Sequence, residues 1–145
     1  MKLTILESDD HEGLEIIVKC KMLNDEVIKV LTSLRSLERK VLGTKDGKVY
    51  LLLPNDIYYF ESVDKKTFAY TEKSVYEVSL RLYQIEELFG DVNFFRATKA
   101  SILNLDRLQS ISPRIGGRLE VKMENGENLL VSRQYVPVLK AKLGF

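Results

Sequence analysis

The chain has 145 residues, enough for one compact domain or one domain with a small extension. Its 45% hydrophobic and 30% charged content is that of an ordinary globular protein and not of a disordered polymer. No apolar run approaches the roughly 20 residues that a membrane helix needs, and the amino terminus turns acidic by Glu7, which excludes a secretory leader by pattern. A net charge of +1 gives no global electrostatic signal, and a single cysteine, Cys20, forbids an internal disulfide and fits a reducing, cytoplasmic setting.

In chain order, residues 2–7 (KLTILE) and 14–20 (LEIIVKC) are expected as strands from their alternation and β-branched content, with a polar turn at Ser8–Gly13 between them. Asn24-Asp25-Glu26 is a helix start, an N-cap followed by two acids in the first turn. Val27, Val30, Leu31, Leu34 and Leu37 continue it at helical spacing, and Gly43 is the expected stop. From residue 41 the period becomes strand-like. Asp46-Gly47 signals a hairpin between VLGTK and KVYLLL, and Ile57–Val63, Thr67–Thr71 and Val75–Val78 read as further strands. Ser79 is the expected cap of a helix over Leu80–Phe89 ended by Gly90. Arg118–Met123 and Asn128–Val131 flank a second hairpin turn at Glu124–Glu127, and Ser132 opens a terminal helix in which Pro137 suits a first position. The fold class is therefore α+β, mostly β, with packed antiparallel sheets, three helices at start, middle and end, and no βαβ rhythm.

Charge is unevenly spread. Residues 1–42 carry 7 basic and 8 acidic side chains, residues 43–90 carry 6 and 8, and residues 91–145 carry 9 and 5. Arg107, Arg114 and Arg118 fall in a stretch with no acid, a local positive patch suited to polyphosphate. Chemistry is otherwise sparse: no glycine-rich phosphate loop is present, and one histidine with one cysteine cannot assemble an ordinary zinc site. His11 among Asp9, Asp10 and Glu12 reads as a solvated turn. No enzyme, metal or cofactor is expected.

Three segments in order carry a family pattern: Asn55–Ser62 (NDIYYFES), Phe94–Leu105 (FFRATKASILNL) and Val131-Ser132-Arg133. With both hairpins in place, residues 43–145 resemble the LytTR family of bacterial DNA-binding domains. The resemblance implies packed antiparallel sheets that bind double-stranded DNA through loops in successive major grooves, with no recognition helix. Carried over by position, the first reading loop holds Lys65, Lys66 and Thr67. The second holds Thr98, Lys99, Ala100 and Ser101, and the third contributes Arg133. Lys99 and Arg133 are the residue types that donate to guanine O6 and N7, and Thr98, Ser101 and Lys66 suit phosphate oxygens. Arg96 belongs to the same set or braces the loop through an internal ion pair. Thr98 and Ala100 depart from the histidine and serine of many members, and Thr67 from a histidine or arginine, substitutions that remove donors. Lysine in the second loop, GRLE at 117–120 and NGE at 125–127 are closer to a short branch of the family that has no receiver domain.

Residues 1–42 are expected as a strand–strand–helix extension that either seats a second subunit, as a dimerisation element, or covers an exposed sheet edge, and residues 43–145 as the DNA-binding domain. The resulting expectation is a sequence-specific transcriptional regulator acting as a homodimer. Family resemblance adds a small membrane protein as regulatory partner. The competing reading is a protein-interaction or ligand-sensing β module that does not touch DNA.

Overall fold

Asp46 (φ 51°) and Gly47 (φ 75°) both occupy the left-handed region, as a two-residue type I′ hairpin requires. They join β1 (Val41–Lys45) to β2 (Lys48–Leu52). Around this hairpin the computed structural model, which describes residues 1–36, 39–89 and 93–145, builds two antiparallel sheets. The larger adds β3 (Tyr59–Val63), β4 (Lys66–Tyr70), β5 (Val75–Val78), β6 (Phe94–Thr98) and β7 (Ser101–Asn104) in the order β2-β1-β5-β4-β3-β7-β6. The smaller contains β8 (Leu108–Pro113), β9 (Leu119–Met123) and β10 (Asn128–Val131), with β9 central. Helices α1 (Asp25–Ser36), α2 (Leu82–Leu88) and α3 (Val136–Leu143) complete the described elements.

Strand alternation sends each residue set to one face. Phe60, Ala69, Val78, Phe94 and Ile102 form one core with Leu82 and Ile85 of α2 and the following Phe89. In it Phe89 stacks on Phe94 with centroids 4.9 Å apart. Tyr59, Phe95, Ala97 and Leu103 form a second core with Val121, Met123 and Val131 of the small sheet and Leu139 of α3. The large sheet is thus covered by α2 on one face and by the small sheet and α3 on the other. Asn104, 2% exposed, satisfies its buried amide by donating to the Ile57 carbonyl at 2.8 Å and by accepting from Asp106 N–H.

The second core is tied by a polar contact between sheets. Tyr59 Oη donates to Glu127 Oε2 at 2.5 Å, and its ring stacks on Tyr70 at 4.2 Å. Burial, then the Glu127 hydrogen bond and nearby negative charge, push the Tyr59 pKa far above the usual tyrosine range. The folded state therefore holds this proton more tightly than the unfolded state does. The stabilisation is complete below about pH 10, where the unfolded tyrosine ionises, and is lost progressively at higher pH. Tyr59→Phe should cost about 1–2 kcal/mol in denaturant unfolding at neutral pH, and the variant should lose less stability than the parent above pH 10.

Four sequence expectations need correction. Residues 2–7 and 14–20 do not form strands. The turn between them does appear, with His11 N–H donating to the Ser8 carbonyl and Gly13 at φ 74°. However, an isolated hairpin is marginal without a surface to pack on, and Leu3, Ile5 and Leu14 stay more than 80% exposed. Gly43 is not a helix stop but lies inside β1, where a Cβ would come within 2.7 Å of Tyr76 Cβ. The helix expected from Ser79 starts at Leu82, with the Arg81 N–H bonded to Gln84 Oε1. Ser132 does not cap α3, because a 3-10 turn at Arg133–Tyr135 intervenes and Pro137 enters the first turn of the helix after it. The cap at Asn24 forms as expected, accepting from Val27 N–H at 3.0 Å. Leu37 and Gly90 lie outside the described residues.

Candidate nucleic-acid interface

Strand register brings the three carried-over segments to one end of the molecule. The β3–β4 turn is Asp64-Lys65, with φ values of 50° and 67°, a left-handed pair that non-glycine residues seldom adopt. Antiparallel pairing of Glu61 with Ser101 sets the β6–β7 turn beside it, and Ser62 N–H donates to the Ala100 carbonyl at 2.8 Å. Ser132 then joins from the small sheet, both its N–H and its hydroxyl donating to the Ala97 carbonyl. Arg133 follows directly and is exposed. Its stem passes the β8–β9 turn, where a Cβ on Gly117 would stand 3.5 Å from Arg133 Cγ.

The β6–β7 turn is held from within. Thr98 Oγ1 and Ser101 Oγ lie 2.8 Å apart, and Ala100 N–H donates to Thr98 Oγ1. Arg96 spreads its guanidinium over the turn, Nε donating to the Thr98 carbonyl at 2.9 Å and Nη2 to the Lys99 carbonyl at 2.5 Å, while Nη1 pairs with Glu86 of α2. Arg96 is therefore spent inside the protein as a brace, and Thr98 and Ser101 spend one bond on each other. Lys99, at the tip, is left exposed. Thr67 is also no surface donor: it is 6% exposed, in register between Ser62 and Val78. Lys66 is exposed but has a loose companion, Glu77 Oε1 at 4.0 Å, a surface pair of small energetic weight.

Lys65, Arg81 and Lys99 surround a shallow cleft of about 270 Å³ whose wall includes Arg96 and Thr67. Arg81 is a member that sequence reading missed. It sits just before α2 and has no ion pair among the described residues. With Ser79 as the cap it would fall inside a helix; as the N-cap itself, two residues later, it lies beside the loops. Of the acid-free arginine run, much is structural. Arg107 bonds the Asn55 carbonyl and Glu124 and lies over the Tyr58 ring. Arg114 pairs with Glu120 at 2.6 Å, which holds the Glu120 carboxyl below its ordinary range. Arg118 is exposed and bonded through Nε to the Ile115 carbonyl. Among the described residues no cluster of acids, histidine and cysteine could hold a metal ion.

The arrangement thus presents exposed Lys65, Lys66, Arg81, Lys99, Arg118 and Arg133 on turns at one end of two rigid sheets. Such groups suit phosphate oxygens and the acceptor edges of bases.

Comparison with known proteins points the same way. The family described as the LytTr DNA-binding domain matches residues 47–144. A sensory transduction protein, LytT, of Enterococcus faecalis is 31% identical over 99 residues, 68% of this chain and 41% of that protein. The chain therefore spans less than half of that relative's length. An uncharacterized HTH-type transcriptional regulator of Staphylococcus aureus is 21% identical over 145 residues, 99% of this chain and 98% of the relative. Among solved structures, the LytTr DNA-binding domain of a Bacillus cereus protein described as a methyl-accepting/DNA response regulator superposes with a TM-score of 0.70. It is 25% identical and covers 74% of this chain and 98% of that one. No helix-turn-helix pair is formed by α2 and α3, which are separated by all of β6–β10. This chain belongs to the LytTR family of DNA-binding domains.

Proposed function

We propose that the chain is a sequence-specific transcriptional regulator that reads double-stranded DNA with turns instead of a recognition helix. Lys99 and Arg133 read base edges in the major groove, Arg133 with both prongs of its guanidinium. Lys65, Lys66 and Arg81 take phosphate oxygens and set register. Arg96 positions Lys99 and does not itself touch DNA, and Thr67 acts from beneath the surface. Residues 43–145 form the binding domain, residues 1–42 a dimerising extension, and the protein works in the cytoplasm. A small membrane protein as regulator follows from family resemblance only. The observation that carries the reading is the gathering of exposed cations on braced turns at one end of a nearly neutral protein.

Contacts to phosphate release counterions, so they are counted by salt. Arg81→Ala and Lys66→Ala should each weaken binding to every duplex nearly equally and reduce the slope of log K against log salt by about one unit. Binding isotherms between 50 and 200 mM salt, roughly the range over which such contacts differ most, check this. Unchanged slopes in both variants would remove these residues from the interface.

A further inference from the structure

Among the described residues two apolar surfaces lack cover, and their chemistry matches. The first is the outer face of the β1–β2 hairpin. Leu42 pairs with Leu51 and Thr44 with Val49, so Leu42, Val49 and Leu51 share one face, and they are 56%, 67% and 65% exposed. The small sheet and α3 cover this side of the large sheet only around Tyr59, Leu103 and Phe95, at the other end. Beside the patch, β2 is an edge strand with its outer N–H and C=O groups unpaired by the sheet. Natural proteins seldom leave a flat apolar edge bare.

The second is the head. Residues 2–7 and 14–20 have strand composition without a sheet to join, and Ile5, Leu6, Leu14, Ile16 and Ile17 are all more than half exposed. Charge is complementary: residues 1–15 carry five acids against Lys2, whereas residues 40–53 carry Lys40, Lys45 and Lys48 against Asp46. Among the described residues, neither surface has a partner within the chain.

We infer that residues 14–20 of one copy pair with the β2 edge of a second copy as an added strand, while the head covers the Leu42–Val49–Leu51 face, and that the exchange is reciprocal. This rests on the homodimer in the reading above and specifies its interface. Strand addition supplies the missing backbone partners, and reciprocal exchange closes with two-fold symmetry, leaving no open edge for further growth. A stable interface draws on roughly 20–30 residues from each side, and residues 1–23 with the facing hairpin meet that need.

The test uses the full chain in sedimentation velocity with two variants: Leu51→Lys on the edge face and Ile16→Lys/Ile17→Lys in the head. All three positions are exposed in the single chain, so thermal unfolding of the monomeric forms should be unaltered. The parent should sediment as a dimer, and each variant should dissociate with a constant raised at least about tenfold. An equimolar mixture of the two variants should recover dimer, because one of its two exchanged contacts is intact. A monomeric parent, a variant that stays dimeric, or a mixture that stays monomeric as its components do would each overturn the exchange. In parallel, binding to a single half-site duplex reports on the other reading: monomeric variants that still bind it separate failure of the interface from failure of DNA recognition.

Discussion

Arg133→Ala should weaken binding to the preferred duplex by about 1–3 kcal/mol, roughly 5- to 150-fold, while non-specific binding falls far less. The side chain is exposed, yet its base is fixed: Ser132 is anchored twice on the Ala97 carbonyl and the stem passes Gly117. A planar fork held this way can engage two acceptors of one guanine, which a lysine's point charge cannot match. Arg133→Lys should therefore restore charge and salt dependence but not base choice. Competition among duplexes altered one base pair at a time reads this directly, as relaxation at a single position in both variants. A uniform loss across all sequences would instead make Arg133 a phosphate contact.

Arg96→Ala should be the most damaging change at the proposed interface, although the Arg96 guanidinium is bonded within the protein. Its guanidinium satisfies two carbonyls of the β6–β7 turn and one carboxylate of α2. Hydrogen bonds involving a charged group are each worth about 1.5–3 kcal/mol, so truncation should lower unfolding stability by about 2–3 kcal/mol after water replaces part of the set. Because Lys99 sits on that turn, affinity should fall at least as far as in Lys99→Ala. Arg96→Lys should not rescue it, since an ammonium cannot span two carbonyls and Glu86 at once. The accompanying check is Glu86→Gln, which keeps one acceptor, and should lose less stability than Arg96→Ala and bind nearly as the parent. If Arg96→Ala left DNA affinity at the parent level in protein shown to be folded, the brace would have no part in positioning Lys99.

How far the sequence carried depended on where the governing forces were local. Asp46-Gly47 and Asn125-Gly126 announce hairpins through backbone preference alone, and both formed between the expected strands. Asn24 capped its helix through an equally local side-chain hydrogen bond, accepting from Val27 N–H. Strands β6, β7 and β8 were not legible from periodicity. FFRAT and SILN contribute residues to both cores at once, so the alternation of a half-buried strand is blurred there. The head failed in the opposite direction: its strand pattern is plain, but pattern records only a preference that a partner surface must realise. The three loops carried over from the family are neighbours in space, whereas what each side chain does there needed geometry. Nothing in RATKAS distinguishes Arg96, folded back over its own turn, from Lys99, which points out. Thr67 and Arg81 show how small offsets decide such roles: one residue of strand register buries the first, and two residues of helix start bring the second to the cleft.

In the proposed function, turns at one end of this molecule read a defined DNA sequence. Selection of bound duplexes from a random pool by the purified 145-residue chain, repeated at low and physiological salt, tests this without knowledge of any promoter. The expected result is enrichment of one motif that survives at physiological salt, with its information lost at one position in Arg133→Ala. A pool that stays random at both salts, or one that the Arg133→Ala variant enriches unchanged, would contradict sequence-specific reading by these turns.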